Sequence, residues 1–260
     1  MTEPQQLTIH LSGDAVVAPA LRIIQQTVET VSFCLIAVDS GDMSKPAEFE
    51  RARMQMRFSG DMSPDERRAL YTNWLLSNGF QELARGIRAT LDEALLYTEI
   101  FHLIESGKRT WGEFPEKVQE IRRRGTRAMF PDLMAAVNKG LSAPLHFEKE
   151  FLSLQKVRNC LEHRDGLVSD IDVDKETKTL KLSLPRFKMF YEKNDEEIEL
   201  QVGTYIEANT MICVKNIVQE REFKLGERVT FKPEEFHDIG WGCWAFTSDL
   251  GSKLPKKGTV

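Results

Sequence analysis

Arg158-Asn159-Cys160-Leu161-Glu162-His163, with Arg164-Asp165-Gly166 behind it, closes the longest amphipathic pattern in the middle of this chain. The pattern runs from Ala143 to His163. Phe147, Phe151, Leu154, Val157 and Leu161 form its apolar stripe at near-heptad spacing, which predicts a helix. Gly166 stands just past the end, where a left-handed residue is expected. An arginine, an amide and an imidazole at one helix end suit in-line attack of an RNA 2′-hydroxyl on its own phosphate. The imidazole moves protons, and the guanidinium holds the extra charge of the phosphorane. At 100° per residue Asn159 and His163 stand about 40° apart, and Arg158 roughly 140° from His163, so the three span an arc. The negative end of the helix dipole, with Glu162 and Asp165 beside it, favours an imidazolium at His163.

Arg158 also falls within the stripe, where a charge is costly unless it is paired or set at a wet interface. A dimer interface around this helix would supply such a setting.

Upstream of the motif the periodicity is helical. Residues 15–38 predict a buried helix through Ala20, Leu21, Ile23, Ile24, Val28, Val31 and Leu35. Residues 40–64 read as loop with a short helical piece at 47–57. Ser63-Pro64-Asp65-Glu66 has the composition of a helix start: serine at the cap, proline at the first turn, carboxylates near the positive dipole end. The helix behind it is expected to reach Glu105. Gly79 and Gly86 each cost up to about 1 kcal/mol inside it, which predicts a kink or close helix packing. Phe114–Arg124 and Phe130–Gly140 read as two further helices.

Beyond Gly166 the chain changes character. Up to Asp165 arginine outnumbers lysine 15 to 6, and beyond it lysine outnumbers arginine 11 to 3. The apolar period changes there from helical to alternating. Residues 168–173 and 179–184 are expected to form one hairpin, and 186–191 and 197–202 a second. Residues 204–220 stay ambiguous between helix and strand, 226–231 reads as a strand, and Pro233–Phe246 starts as a helix. The fold class is therefore mainly α with a β-rich C-terminal part, an α+β chain. The expected division is a helical domain at 1–166 and a β-rich extension at 167–260 packed on it.

Charged residues make up 29% of the 260 residues and hydrophobic residues 41%, a globular composition. No uninterrupted apolar run approaches the length of a membrane span, so no membrane association is expected. The N-terminal residues carry no signal-peptide pattern. Cys34, Cys160, Cys213 and Cys243 lie far apart, which argues against a zinc site or a disulfide framework and for a cytoplasmic setting. A net charge of −5 predicts that any RNA is held at a local basic surface. Arg122, Arg123, Arg124 and Arg127 form the most basic segment, either a phosphate grip or a solvated helix end. Phe236, Trp241, Trp244 and Phe246 could stack bases or pack onto the hairpins. His10, His102 and His146 show no metal-ligand spacing, and no cofactor motif is present.

The Arg-Asn-x3-His ending resembles the Arg-x4–6-His motif of the HEPN superfamily, in the form with asparagine directly after arginine. The segment Trp74–Leu83, within the long helix before the motif, is similar to the first core helix of many HEPN proteins. The resemblance covers about 67–166 and is one of pattern outside the motif. It implies a HEPN-like helical bundle followed by short antiparallel hairpins, and a homodimer in which two motif helices build one cleft. It also implies a metal-independent endoribonuclease leaving 2′,3′-cyclic phosphate ends, as a defence or toxin effector with a possible antitoxin partner. In that reading Arg158, Asn159 and His163 are catalytic, while Arg122, Arg123, Arg124, Arg127 and Arg164 bind RNA. The alternative is a noncatalytic RNA-binding or protein-interaction module on the same fold.

Overall fold

Ser63 opens the longest helix with a reciprocal cap. Its hydroxyl accepts from the Glu66 N–H at 3.3 Å, and the Glu66 carboxylate accepts from the Ser63 N–H at 2.8 Å. Two donors that the first turn would leave orphaned are thereby satisfied. The computed structural model describes residues 11–46, 62–107, 114–201 and 203–256. The helical piece expected at 47–57 lies outside the described residues.

Within them, six helices and three strands follow in the order α1 (Gly13–Ser40), α2 (Pro64–Glu105), α3 (Phe114–Arg127), α4 (Phe130–Gly140), α5 (Glu148–Arg164), β1 (Thr179–Lys193), β2 (Glu196–Glu199), β3 (Cys213–Lys224) and α6 (Pro233–Lys253). The chain is mostly helical, with a small antiparallel sheet on its C-terminal side. It gathers into two compact units. One takes 1–23, 85–148 and 243–260, and the other takes 24–84 and 149–242. Helices α1, α2 and α6 thus contribute residues to both.

The first unit is clipped together by helix side chains that reach its loops. Tyr97 donates its hydroxyl to the Pro255 carbonyl at 2.9 Å, and burial raises its phenol above the ordinary range. Asn138 accepts from the Leu145 N–H and donates to Glu148. Phe147, expected in the helical stripe, lies instead in the preceding turn with φ 63°, so α5 begins at Glu148.

The second unit holds α5 and the sheet. Strand order is β2-β1-β3, and β1 pairs with β3 from Thr179 to Phe190 but with β2 only from Phe190 to Lys193. The two expected strands at 179–184 and 186–191 are one strand that runs straight through Pro185. The reason is a contact with α5. The Ser183 N–H donates to the Ser153 hydroxyl at 2.8 Å, and that hydroxyl donates to the Ser183 carbonyl at 3.0 Å. Backbone groups alternate sides along a strand, so the nitrogen of Pro185 faces the same way as that of Ser183, away from β3. No ladder bond is lost.

Three other expectations are corrected. Residues 168–173 form no strand, because the Asp172 carboxylate accepts from the Ser169 N–H and hydroxyl and folds the segment into a turn. Residues 226–231 keep only an isolated bridge, Leu167 to Arg228. The ambiguous stretch resolves into β3 at its end. The hydropathy reading also passed over α1, which is long and apolar enough to cross a membrane by length and composition. Its charges, Asp14, Arg22, Glu29 and Asp39, break up any apolar run yet are thinly spread. Val31, Leu35 and Val38 of this helix are buried.

The glycines of α2 mark close packing. A Cβ on Gly79 would lie 2.7 Å from Phe236 and 2.8 Å from Val31, so α1, α2 and α6 meet there. On Gly86 it would meet Ile23 at 3.1 Å. Gly79→Ala should therefore destabilise the protein, since overpacking costs about 1–3 kcal/mol against a helix-propensity gain of up to about 1 kcal/mol. Gly86→Ala should change stability much less. Thermal melting of both variants checks this, and an unchanged midpoint for Gly79→Ala would contradict the contact.

Candidate functional site

The end of α5 is fixed from two sides. Asp165 and Gly166 both take left-handed backbone, at φ 51° and 75°, and the Gly166 N–H bonds back to the Cys160 carbonyl at 3.1 Å. Arg164 then makes a two-pronged ion pair with Asp172, whose side chain is only 4% exposed. Asp172 also accepts both Ser169 groups. Burial pushes its carboxyl upward, but the Ser169 N–H, the Arg164 guanidinium and the Ser169 hydroxyl together hold it below the ordinary carboxylate range. Arg164 is thus committed to the fold rather than turned toward a ligand. Asp165 receives Arg228 on the outer side.

The buried stripe of α5 is Phe151, Leu154, Val157, Cys160 and Leu161. Arg158 lies beside it, with its side chain 28% exposed, and it pairs with Glu162 one turn on. Glu162 also stands 3.7 Å from the His163 Nε2. Asn159 accepts from Gln155 at 2.9 Å and from Arg158 at 3.4 Å. Its amide N–H groups are the ones left to donate. His163 is exposed on the last turn. The structure therefore brings Arg158, Asn159 and His163 to one end of one helix, with Glu162 between the two outer residues. In the sequence Glu162 is read only as a neighbour favouring the His163 imidazolium; its i, i+4 spacing from Arg158 is the signal for the pair. That pairing also answers the charge at Arg158 within its own helix, so the residue does not by itself demand a second copy.

The basic segment falls in the other unit. Arg122 is bound bidentately by Glu93 and Arg124 by Glu99, the second pair raising the Arg124 guanidinium further. Arg123 and Arg127 are exposed and carry no ion pair among the described residues. No group of three or more His, Cys, Asp or Glu among the described residues is placed to hold a metal. Trp241 packs edge-on against Phe187, 5.7 Å between centroids, and is still 53% exposed. Compared with protein-family models, with characterised proteins and with solved structures, the chain matches none.

The Arg164–Asp172 pair makes a pH prediction. A carboxyl held below its unfolded value contributes stability above about pH 4, and that contribution drains away as pH falls through the folded value. Asp172→Asn should be less stable than the parent at neutral pH, with the gap closing in acid. Melting curves from pH 7 down to 3 test it; a gap of constant size would remove the ion pair as its source.

Proposed function

We propose that this chain is a HEPN-type, metal-independent endoribonuclease acting as a homodimer in the cytoplasm. The observation that supports it most is the gathering of Arg158, Asn159 and His163 on the accessible end of α5. His163 as base takes the proton of a ribose 2′-hydroxyl. The freed oxygen attacks the adjacent phosphorus in line, the 5′-oxygen leaves, and it takes a proton from an imidazolium. The products are a 2′,3′-cyclic phosphate and a 5′-hydroxyl. Arg158 bears the phosphorane charge, and for this it must exchange Glu162 for a phosphate oxygen. Asn159 donates to the same phosphate. Base and acid stand on opposite sides of an in-line displacement, so two imidazoles are needed, and one per chain implies two copies sharing a cleft. Arg123 and Arg127 are the exposed cations of the basic segment that remain for RNA backbone.

The second reading is a noncatalytic RNA-binding or protein-interaction module, an antitoxin among the partners. It is favoured by the fact that Arg158 and the Asn159 oxygen are both already occupied. A gel of end-labelled RNA in EDTA separates the two. The parent should cut, and His163→Ala should cut about 10²–10⁴-fold more slowly. Mixed dimers carrying one His163→Ala chain should lose far more than half the rate. Equal cutting by parent and variant would sink the catalytic assignment.

A further inference from the structure

The register of the sheet builds a recess, from elements other than α5. Leu182 lies across from Arg221, Leu184 from Gln219 and Arg186 from Ile217. Opposed residues point to one face, and α6 faces them with Glu235, Asp238 and Ile239. The recess adjoins an open hollow of about 500 Å³ that shares Arg186, Gln219, Glu235 and Asp238 with it and adds Ile217, Lys232 and Glu234, a volume inside the range of about 300–1,000 Å³ usual for small-ligand sites.

Three of its charges, Arg186, Arg221 and Glu235, are paired. Arg186 pairs with Glu199 through one amino group. Arg221 pairs with Glu235 and donates to the Thr230 carbonyl at 3.2 Å. Asp238 differs: burial raises its carboxyl, Arg186 opposes that through charge alone, and no described residue donates a hydrogen bond to it. A carboxylate short of donors is suited to two N–H groups side by side. Lys232, and the Arg186 amino group not held by Glu199, can donate to acceptors, while Glu234 lines the same mouth. Ile217 lines the open part and suits the flat face of a ring. A neutral planar ring with paired N–H donors on one edge and acceptors on another is guanine. Its N1–H and N2–H would meet a carboxylate, and its O6 and N7 would meet cations. Adenine, cytosine and uracil each turn at least one acceptor toward such a carboxylate.

We propose that this recess binds the guanine base of a guanosine nucleotide, with Asp238 on its donor edge and Arg186 and Lys232 on its acceptor edge. Its use as a selector of guanosine in an RNA substrate rests on the ribonuclease reading; the binding itself does not.

Calorimetric titration of the full chain with GMP, AMP, CMP and UMP tests it. GMP should bind at least about tenfold more tightly than the others. Asp238→Asn, nearly the same shape, should lose about tenfold for GMP and little for AMP. Lys232→Ala, on the surface and safe for folding, should weaken GMP severalfold. Equal affinity for all four nucleotides would mean that only phosphate is held, and would overturn the proposal. So would binding of arginine methyl ester without GMP, which would make the recess a seat for a protein side chain. No binding at millimolar concentration overturns it too. A chain that cuts RNA but ignores GMP refutes this inference alone. A chain that binds GMP but cuts nothing refutes the ribonuclease reading and leaves this one standing.

Discussion

The missing side chain of Gly79 is the constraint on which the second unit turns. Val31 of α1 and Phe236 of α6 both approach within less than 3 Å of where its Cβ would be. Phe236 is fully buried, as is Phe80 next to the glycine, and Phe80 stacks on Phe231 at 4.8 Å. Any larger residue would drive α6 outward. Helix α6 is also the wall that covers the apolar face of β1, where Leu180, Leu182 and Leu184 are buried. The position of the sheet therefore follows from the closeness of three helices at one point. Gly240 repeats the device: a Cβ there would lie 2.7 Å from Val28.

The motif helix is tied to this frame at two places. Ser153 plugs the free edge of β1 at Ser183, and Arg164 ties the helix end to Asp172. Both fasteners act on the side of α5 that carries Cys160, whose thiol burial raises first and foremost. Arg158, Asn159, Glu162 and His163 are left on the accessible side. The division of labour is thus built into six consecutive residues. Cys160 and Leu161 anchor, while Arg158, Asn159, Glu162 and His163 lie outside the buried stripe on a helix whose end is held.

Much of this was legible in the sequence, and the failures have physical causes. The cap at Ser63–Glu66, the end of α2, both ends of α4 and the end of α5 follow from local signals that local chemistry then satisfied. The α+β character followed from the change of period at Gly166. The strands at 168–173 and 226–231 were misread because alternation cannot anticipate a side chain that closes a turn, as Asp172 does on Ser169. Pro185 suggested a break between strands because its harmlessness depends on Ser153, far away in sequence. The partner of Arg158 was four residues on and could have been read; the apolar stripe drew attention inward instead. No local pattern could show that Arg186, Gln219 and Asp238 line one recess, since only the β1–β3 register and the packing of α6 bring them together.

The route of α6 has a consequence for how the protein is made. In one unit a Cβ on Gly251 would touch Val17 at 3.0 Å, and one on Gly13 would touch Leu254; in the other, Gly240 and Phe236 close on Val28 and Gly79. The first and last helices are mutual core partners in both. A nascent chain therefore carries α1 and α2 with the seat for α6 empty until the residues from Pro233 on have been made. Contacts between such distant segments fold slowly and leave apolar surface open to aggregation meanwhile. Truncation before Pro233 would remove a wall rather than a tail, leaving Val28, Val31 and Gly79 without the helix that packs on them.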